Sequence, residues 1–213
     1  MSLIISKKNK LIFFHIPKNA GTTVSDALLK NENYYYPWVI LSKILRKFKK
    51  KDNFFFDNFQ KKIHLFISHE TVKTIEMKIS SEIYDNFFKF AVVRNPYSRF
   101  VSRYNYMKST NTLKESNFPD FLKKHVKLAL IADQQYKFLL NKNGKIGVDK
   151  IIKFENFDEE MTELSKVINL KSLKFKKLNI STTGNYKSYY DNNTRKIVEE
   201  FCKEDLEIFN YSF

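Results

Sequence analysis

The chain has 213 residues, 43% hydrophobic and 16% aromatic, enough apolar mass to fill a core, which excludes intrinsic disorder as the main state. Lys and Arg number 38 against 23 Asp and Glu, a formal net charge of +15, and the single cysteine, Cys202, excludes an internal disulfide framework, a zinc ribbon or a CxxC redox pair. That charge suits a nucleic acid, an anionic membrane or an anionic substrate equally, and a Lys-, Asn- and Phe-rich skew also follows from biased coding, so where the charges sit matters more than their number.

In chain order, Met1–Ser6 is too short an apolar run before Lys7 and Lys8 to be a secretory signal. No stretch approaches 18 uncharged apolar residues, so a cytoplasmic protein without a membrane span is expected. Leu11–Ile16 (LIFFHI) reads as a buried strand stopped by Pro17, Pro17–Gly21 as a loop, and Thr22–Lys30 as a helix with Thr at its start. A helix is predicted over Trp38–Lys49 and a strand over Ile63–Ser68. A third strand, Phe88–Arg94, precedes helices over Tyr97–Met107, Phe118–Lys127 and Ile131–Leu140. A fourth strand, Asp149–Phe154, leads to helices over Asp158–Ile168 and Asn192–Ile208. There is no repeat, linker or composition break, so residues 1–213 are expected to form a single domain. Its class is α/β, with a mainly parallel sheet flanked by helices. In such sheets a ligand sits beyond the strand C-termini, where loops enter helices.

Two strand-to-helix joints stand out. The first is HIPKNAGTTV, His15–Val24. Gly21 allows a ligand close to the backbone, the leading helix N–H groups with the Thr22 and Thr23 hydroxyls form an anion cradle, and Lys18 adds a mobile charge. This is not a Walker A loop, because Lys18 lies three residues before Gly21 instead of just ahead of the Ser/Thr. The second joint also lacks the strand-end Asp that holds magnesium in such enzymes. A site for phosphate-like oxyanions with no obligatory metal is expected; the plain alternative is a capped helix after a tight turn.

The second joint, FAVVRNPYSRFVSRY (Phe90–Tyr104), holds Arg94, Arg99 and Arg103, three of the five arginines in the chain. The guanidinium fork suits such oxyanions. Arg94 at the strand end and Ser102 on the helix can reach one anion if the helix turns back beside the strand. The plain alternative makes Ser98 a helix cap and Arg99 and Arg103 a solvated face.

Together the joints resemble the two nucleotide-binding motifs of the sulfotransferases that use 3'-phosphoadenosine 5'-phosphosulfate (PAPS). The nearer likeness is to the carbohydrate group containing the heparan sulfate 2-O-sulfotransferases and their bacterial relatives. Pro17, Lys18, Ala20, Gly21, Thr22 and Thr23 match the first motif, PKxAGTT/S, which binds the 5'-phosphosulfate. Arg94, Pro96, Arg99, Ser102 and Tyr104 match the second, RxPxxRxxSxY, which binds the 3'-phosphate. Looser likeness continues through Ile152–Phe157, Leu178–Ser181 and Asp205–Phe213.

The resemblance implies a P-loop, nucleotide-kinase-like fold with Pro17, Lys18, Asn19, Ala20, Gly21, Thr22, Thr23, Arg94 and Ser102 around the donor. Tyr186 and Lys187, in the polar stretch Thr182–Lys187, are implied to fold over the adenosine or the 3'-phosphate. Lys18 is the cation for the leaving bridging oxygen. The family's base is a His after the strand that follows the first motif. His69, in Ser68-His69-Glu70, matches it, with Ser where the family often has Gly. Glu70 is the second candidate, as base or as orienter of His69. His15 reads as structural, and His64 and His125 as unremarkable.

The implied reaction moves the sulfuryl group from PAPS to a hydroxyl of a carbohydrate acceptor (a glycan, polysaccharide or glycolipid), releasing adenosine 3',5'-bisphosphate. Surface lysines suit an anionic or lipid-linked acceptor. No RRM, KH, zinc-finger or helix-turn-helix signature is present, so no nucleic-acid partner is expected. The alternatives are a basic nucleic-acid-binding protein and a metal-dependent kinase on the same fold.

Overall fold

A computed structural model of the chain describes residues 3–31, 55–57, 63–66, 70–128, 134–168 and 185–213. Two apolar runs at the start form an antiparallel pair, β1 (Leu3–Ser6) and β2 (Leu11–Phe14), with Leu3 opposite Phe14 and every residue of both buried. Their turn is tight: Ser6 Oγ accepts from Asn9 N at 3.0 Å, and Lys10 adopts φ 48°. With β3 (Phe55–Asp57), β4 (Ile63–Phe66), β5 (Phe88–Val93) and β6 (Lys150–Lys153) they build one sheet of order β3-β4-β1-β2-β5-β6.

Strands β2, β5 and β6 are parallel neighbours, and β4, antiparallel to β1, points the same way as they do. These four are the strands expected from the sequence, and the α/β class holds. The two additional strands, β1 and β3, run in the opposite direction, and β1 separates β4 from β2.

Among the described residues the helices are α1 (Gly21–Asn31), α2 (Val72–Lys78), α3 (Ser81–Asn86), α4 (Pro96–Ser109), α5 (Phe118–Leu128), α6 (Gln135–Leu139), α7 (Phe157–Val167), α8 (Asn192–Phe201) and α9 (Lys203–Ile208). None is long and apolar enough to cross a membrane. The short helices α2 and α3 are not among the elements expected from the sequence. The single helix expected over Asn192–Ile208 is broken at Cys202, which closes α8 by donating its N–H to Val198 O at 2.8 Å and opens α9. The Trp38–Lys49 helix lies outside the described residues, as do residues 131–133 of the Ile131–Leu140 helix.

Side chains alternate across the sheet, so each face has its own core. Ile4, Leu11, Phe13, Phe90 and Val92 pack on Val24 and Leu28 of α1 and on Met161 and Leu164 of α7. Leu3, Ile5, Ile12 and Phe14 pack on Val72 and Ile75 of α2 and on Phe138 and Leu139 of α6. A third, aromatic core joins α4, α5 and α8 through Tyr97, Phe100, Tyr104, Phe118, Phe121 and Val198. The two sheet cores fix β2 and β5 side by side, and the third fixes the helix that leaves β5.

Phe90 is fully buried, its ring 5.0 Å from that of Phe13. Phe90→Ala is expected to lower the unfolding free energy by about 3–5 kcal/mol in a urea titration; a loss below about 1 kcal/mol would contradict this packing.

Candidate functional site

Because β2 and β5 are parallel neighbours, their C-terminal ends bring the loops Pro17–Ala20 and Arg94–Asn95 together. In the first loop Lys18 has φ 70° and Ala20 φ 57°. Left-handed backbone costs a residue with a Cβ about 1–2 kcal/mol. Such alternation also turns successive N–H groups toward one concavity, which favours an anion. Helix α1 follows at once. Its first intrahelical bond runs from Val24 N to Ala20 O at 3.1 Å, so the amides of Gly21, Thr22 and Thr23 form its leading, electropositive turn. The Thr22 side chain is exposed and that of Thr23 buried.

Gly21 serves the protein's interior. A Cβ there would lie 1.8 Å from His15 Cδ2, so the absent side chain is what seats the imidazole against the helix start. His15 also stacks on Phe13, at 6.1 Å and 14°. This gives the glycine a role other than the close ligand approach expected of it.

The second joint is capped by Asn95, whose Oδ1 accepts from Tyr97 N at 3.0 Å, with Pro96 opening α4. Ser98 is therefore not the cap; its Oγ accepts from Arg94 Nε at 2.9 Å. Arg94 is buried, lies over the Phe154 ring at 4.3 Å, and directs Nη1 to Lys18 O at 3.5 Å. Arg99 is only 5% exposed and donates Nε to Pro17 O at 3.1 Å, so it lies on no solvated face. Ser102, one turn beyond Ser98, is buried, and Arg103 is half-buried.

Both arginine contacts cross from the second joint to carbonyls of the first. Lys18 is held at about 8, below its ordinary 10.5, by burial and then by the charges of Arg94, Arg103 and Arg99. Its Nζ lies 3.8 Å from the centroid of the exposed Tyr106 ring. Burial lowers Arg94 to about 10, with the Glu155 carboxylate acting in the opposite sense.

Behind the cations lies a neutral link. Gln135 is completely buried; its Oε1 accepts from Asn19 Nδ2 at 2.6 Å and from Arg94 N at 2.9 Å, and its Nε2 donates to Arg94 O at 2.8 Å. Asn19 Nδ2 also reaches Val92 O at 2.9 Å. The side chain expected at the donor thus points into the protein, leaving only the Asn19 backbone on the loop. Glu155 braces the second loop, accepting from Asn95 N at 2.9 Å and from the Tyr211 hydroxyl at 2.7 Å.

Tyr186 and Lys187 begin a 3-10 turn, Tyr186–Tyr189, and both lie against Phe213, at 6.1 Å and 5.1 Å from its ring. Phe213 in turn packs on Tyr97 of α4 at 4.8 Å, which ties the pair to the second joint. Burial raises the Tyr186 hydroxyl, as does the charge of Glu155.

Glu70 is buried just before α2, and its Oε2 accepts from Lys78 Nζ at 3.1 Å. It follows β4, whose C-terminal end shares the sheet edge with that of β2, two strand spacings or about 10 Å away across β1. His69 and residues 182–184 lie outside the described residues. His125 is buried against Phe121, ring centroids 4.3 Å apart. Among the described residues, no group of three or more His, Cys, Asp or Glu converges as a metal site.

Lys18 and Arg94 are thus gathered at one sheet edge, with Ser102 buried on α4 one turn beyond Ser98, whereas Glu70 sits just before α2 on Lys78. Arg99, expected through the second motif, lies with Lys18 and Arg94; Arg103, Tyr106, Gln135 and Glu155 also border the site and were matched by neither motif. The crowding of three of the chain's five arginines into ten residues is the sequence signal for Arg103, and the likeness over Ile152–Phe157 that for Glu155; Gln135 and Tyr106 have none.

A family model described as "Sulfotransferase family" matches residues 1–212. An "Uncharacterized protein" of Archaeoglobus fulgidus is 28% identical over 113 residues, covering 53% of this chain and 93% of that protein. No solved structure matches the chain.

The lowered Lys18 amine gives the site a pH signature. Below about 8 it is charged; above, it releases its proton and the site loses one positive charge. Affinity for pyrophosphate, measured by calorimetry, is expected to fall as the pH rises from about 7 to about 9, and Lys18→Arg should flatten the profile because a guanidinium stays charged there. An identical profile in the variant would remove Lys18 from the anion site.

Proposed function

The chain belongs to the sulfotransferase family, and on that premise we propose that residues 1–213 act as one domain that moves the sulfuryl group of PAPS to a carbohydrate hydroxyl. The observation that carries this reading is the convergence of the two joints, with Arg94 and Arg99 donating to the carbonyls of Lys18 and Pro17. A donor with phosphate at one end of its ribose and phosphosulfate at the other needs two anion grips at a fixed separation.

In this reading Lys18 and the leading amides of α1, Gly21 to Thr23, hold the 5'-phosphosulfate, with Pro17, Asn19 and Ala20 lending backbone. Arg94 and Ser102 hold the 3'-phosphate, with Arg99 and Arg103 beside them, and Tyr186 and Lys187 cover the adenosine. Lys18 neutralises charge on the bridging oxygen as its bond to sulfur breaks and the acceptor oxygen bonds to sulfur. His69 or Glu70 takes the acceptor's proton. Positioning and charge supply most of the rate in such transfers. The protein's own cations at the donor support a reaction without an obligatory metal, and the order strand β2, loop, helix α1 supports the nucleotide-kinase-like fold. The exposed face of Tyr106 beside Lys18 is the kind of surface on which a sugar ring stacks, and this supports a carbohydrate acceptor. Burial of Arg94 and Arg99 favours a small anion over a nucleic-acid backbone.

Adenosine 3',5'-bisphosphate at 100 times its Kd is expected to stabilise the protein by about 2.7 kcal/mol in a thermal melt; no shift would overturn the reading. Lys18→Ala should cut kcat by about 100-fold or more with a smaller change in nucleotide affinity, whereas Arg94→Ala should weaken nucleotide binding. The two base candidates separate by variant: loss of turnover in Glu70→Gln with activity kept in His69→Ala assigns the base to Glu70, and the converse assigns it to His69.

A further inference from the structure

We propose that Gln135 is the positioning residue that fixes the spacing between the two anion-holding loops, a role that rests on the donor-binding reading above. One planar amide joins Asn19 of the first loop to both backbone polar atoms of Arg94 in the second. The parallel pairing of β2 with β5 ends at Phe14 and Ala91, so Gln135 adds a side-chain link between the two chains beyond it. Its own place is set by Asp205, which is also completely buried. Asp205 Oδ2 accepts from Gln135 N at 2.8 Å and Oδ1 from Tyr136 N at 2.7 Å, and Gln135 Nε2 lies 3.4 Å from Oδ2. A buried amide with both oxygen and nitrogen bonded has one orientation, and its removal leaves several buried groups unmatched.

The consequence concerns ligands that touch both loops. Once one end of such a ligand is bound, the effective concentration of the second grip depends on the spacing between the loops. A ligand held by one loop alone does not sense that spacing. General loss of stability would weaken all ligands alike, so the difference between the two kinds isolates the positioning role. The spacing also has a ligand-free readout, since Lys18 is lowered in part by the nearby Arg94.

The test uses the full chain with Gln135→Met, which keeps the volume and removes the hydrogen bonds, and with Asn19→Ala, which cuts the same link from the other end without altering α6. Calorimetry compares adenosine 3',5'-bisphosphate with adenosine 5'-phosphate and adenosine 3'-phosphate. Each variant is expected to bind the bisphosphate about tenfold or more weakly, with both monophosphates within about threefold of the unaltered chain. The double variant should lose no more than the worse single one, because both cut one link. The Lys18 amine, titrated by NMR, should rise from about 8 toward its ordinary 10.5 in both variants. Equal loss for all three nucleotides, no loss at all, or an unmoved Lys18 titration would overturn the proposal. An unaltered chain that binds none of the nucleotides, while Lys18 still shifts in the variants, would overturn the donor reading and leave the spacing role standing. If Gln135→Met does not fold, Asn19→Ala carries the same comparison alone.

Discussion

Charges of like sign repel, and the fold holds Lys18, Arg94, Arg99 and Arg103 at one sheet edge in spite of it. Burial strengthens that repulsion by removing water that would screen it. Neutral acceptors and one carboxylate offset it. The Pro17, Lys18 and Ser98 oxygens take hydrogen bonds from the guanidinium groups, and Glu155 lies close enough to favour the charged form of Arg94. A site held in this way gains stability on taking up an anion, because the anion relieves a strain that the protein carries by itself.

The sheet makes this possible. Parallel neighbours β2 and β5 end together, so two loops distant in sequence become adjacent without any long connection. The left-handed residues Lys18 and Ala20 add local strain, and they persist because strand β2 and helix α1 are buried on either side. Rigid elements on both flanks let a short, strained loop keep one shape.

Legibility in the sequence followed from how local each feature is. The two joints stood out because Pro17, Gly21 and Pro96 punctuate apolar runs, and the four strands of common direction lie within runs of six or seven residues that read as strands. Strand β1 was not legible, since Leu3, Ile4 and Ile5 run at once into Ser6 and the lysines and show no period; only their pairing with β2 and β4 makes them a strand. Side-chain direction was the other blind spot. Asn19 sits in a motif that implies ligand contact, yet its amide meets Val92 and Gln135 inside. Arg99 stands four residues before Arg103, which on an isolated helix is a solvated face, but the first loop lies against that face. Gln135 sits in a helix of five residues, where neither periodicity nor composition distinguishes it.

The single thiol of the chain lies at the break between α8 and α9, almost wholly shielded from water and three residues before Asp205. A buried thiol is chemically inert until its surroundings part. Its rate of alkylation therefore reports, with no label added, how often the segment behind the two loops breathes.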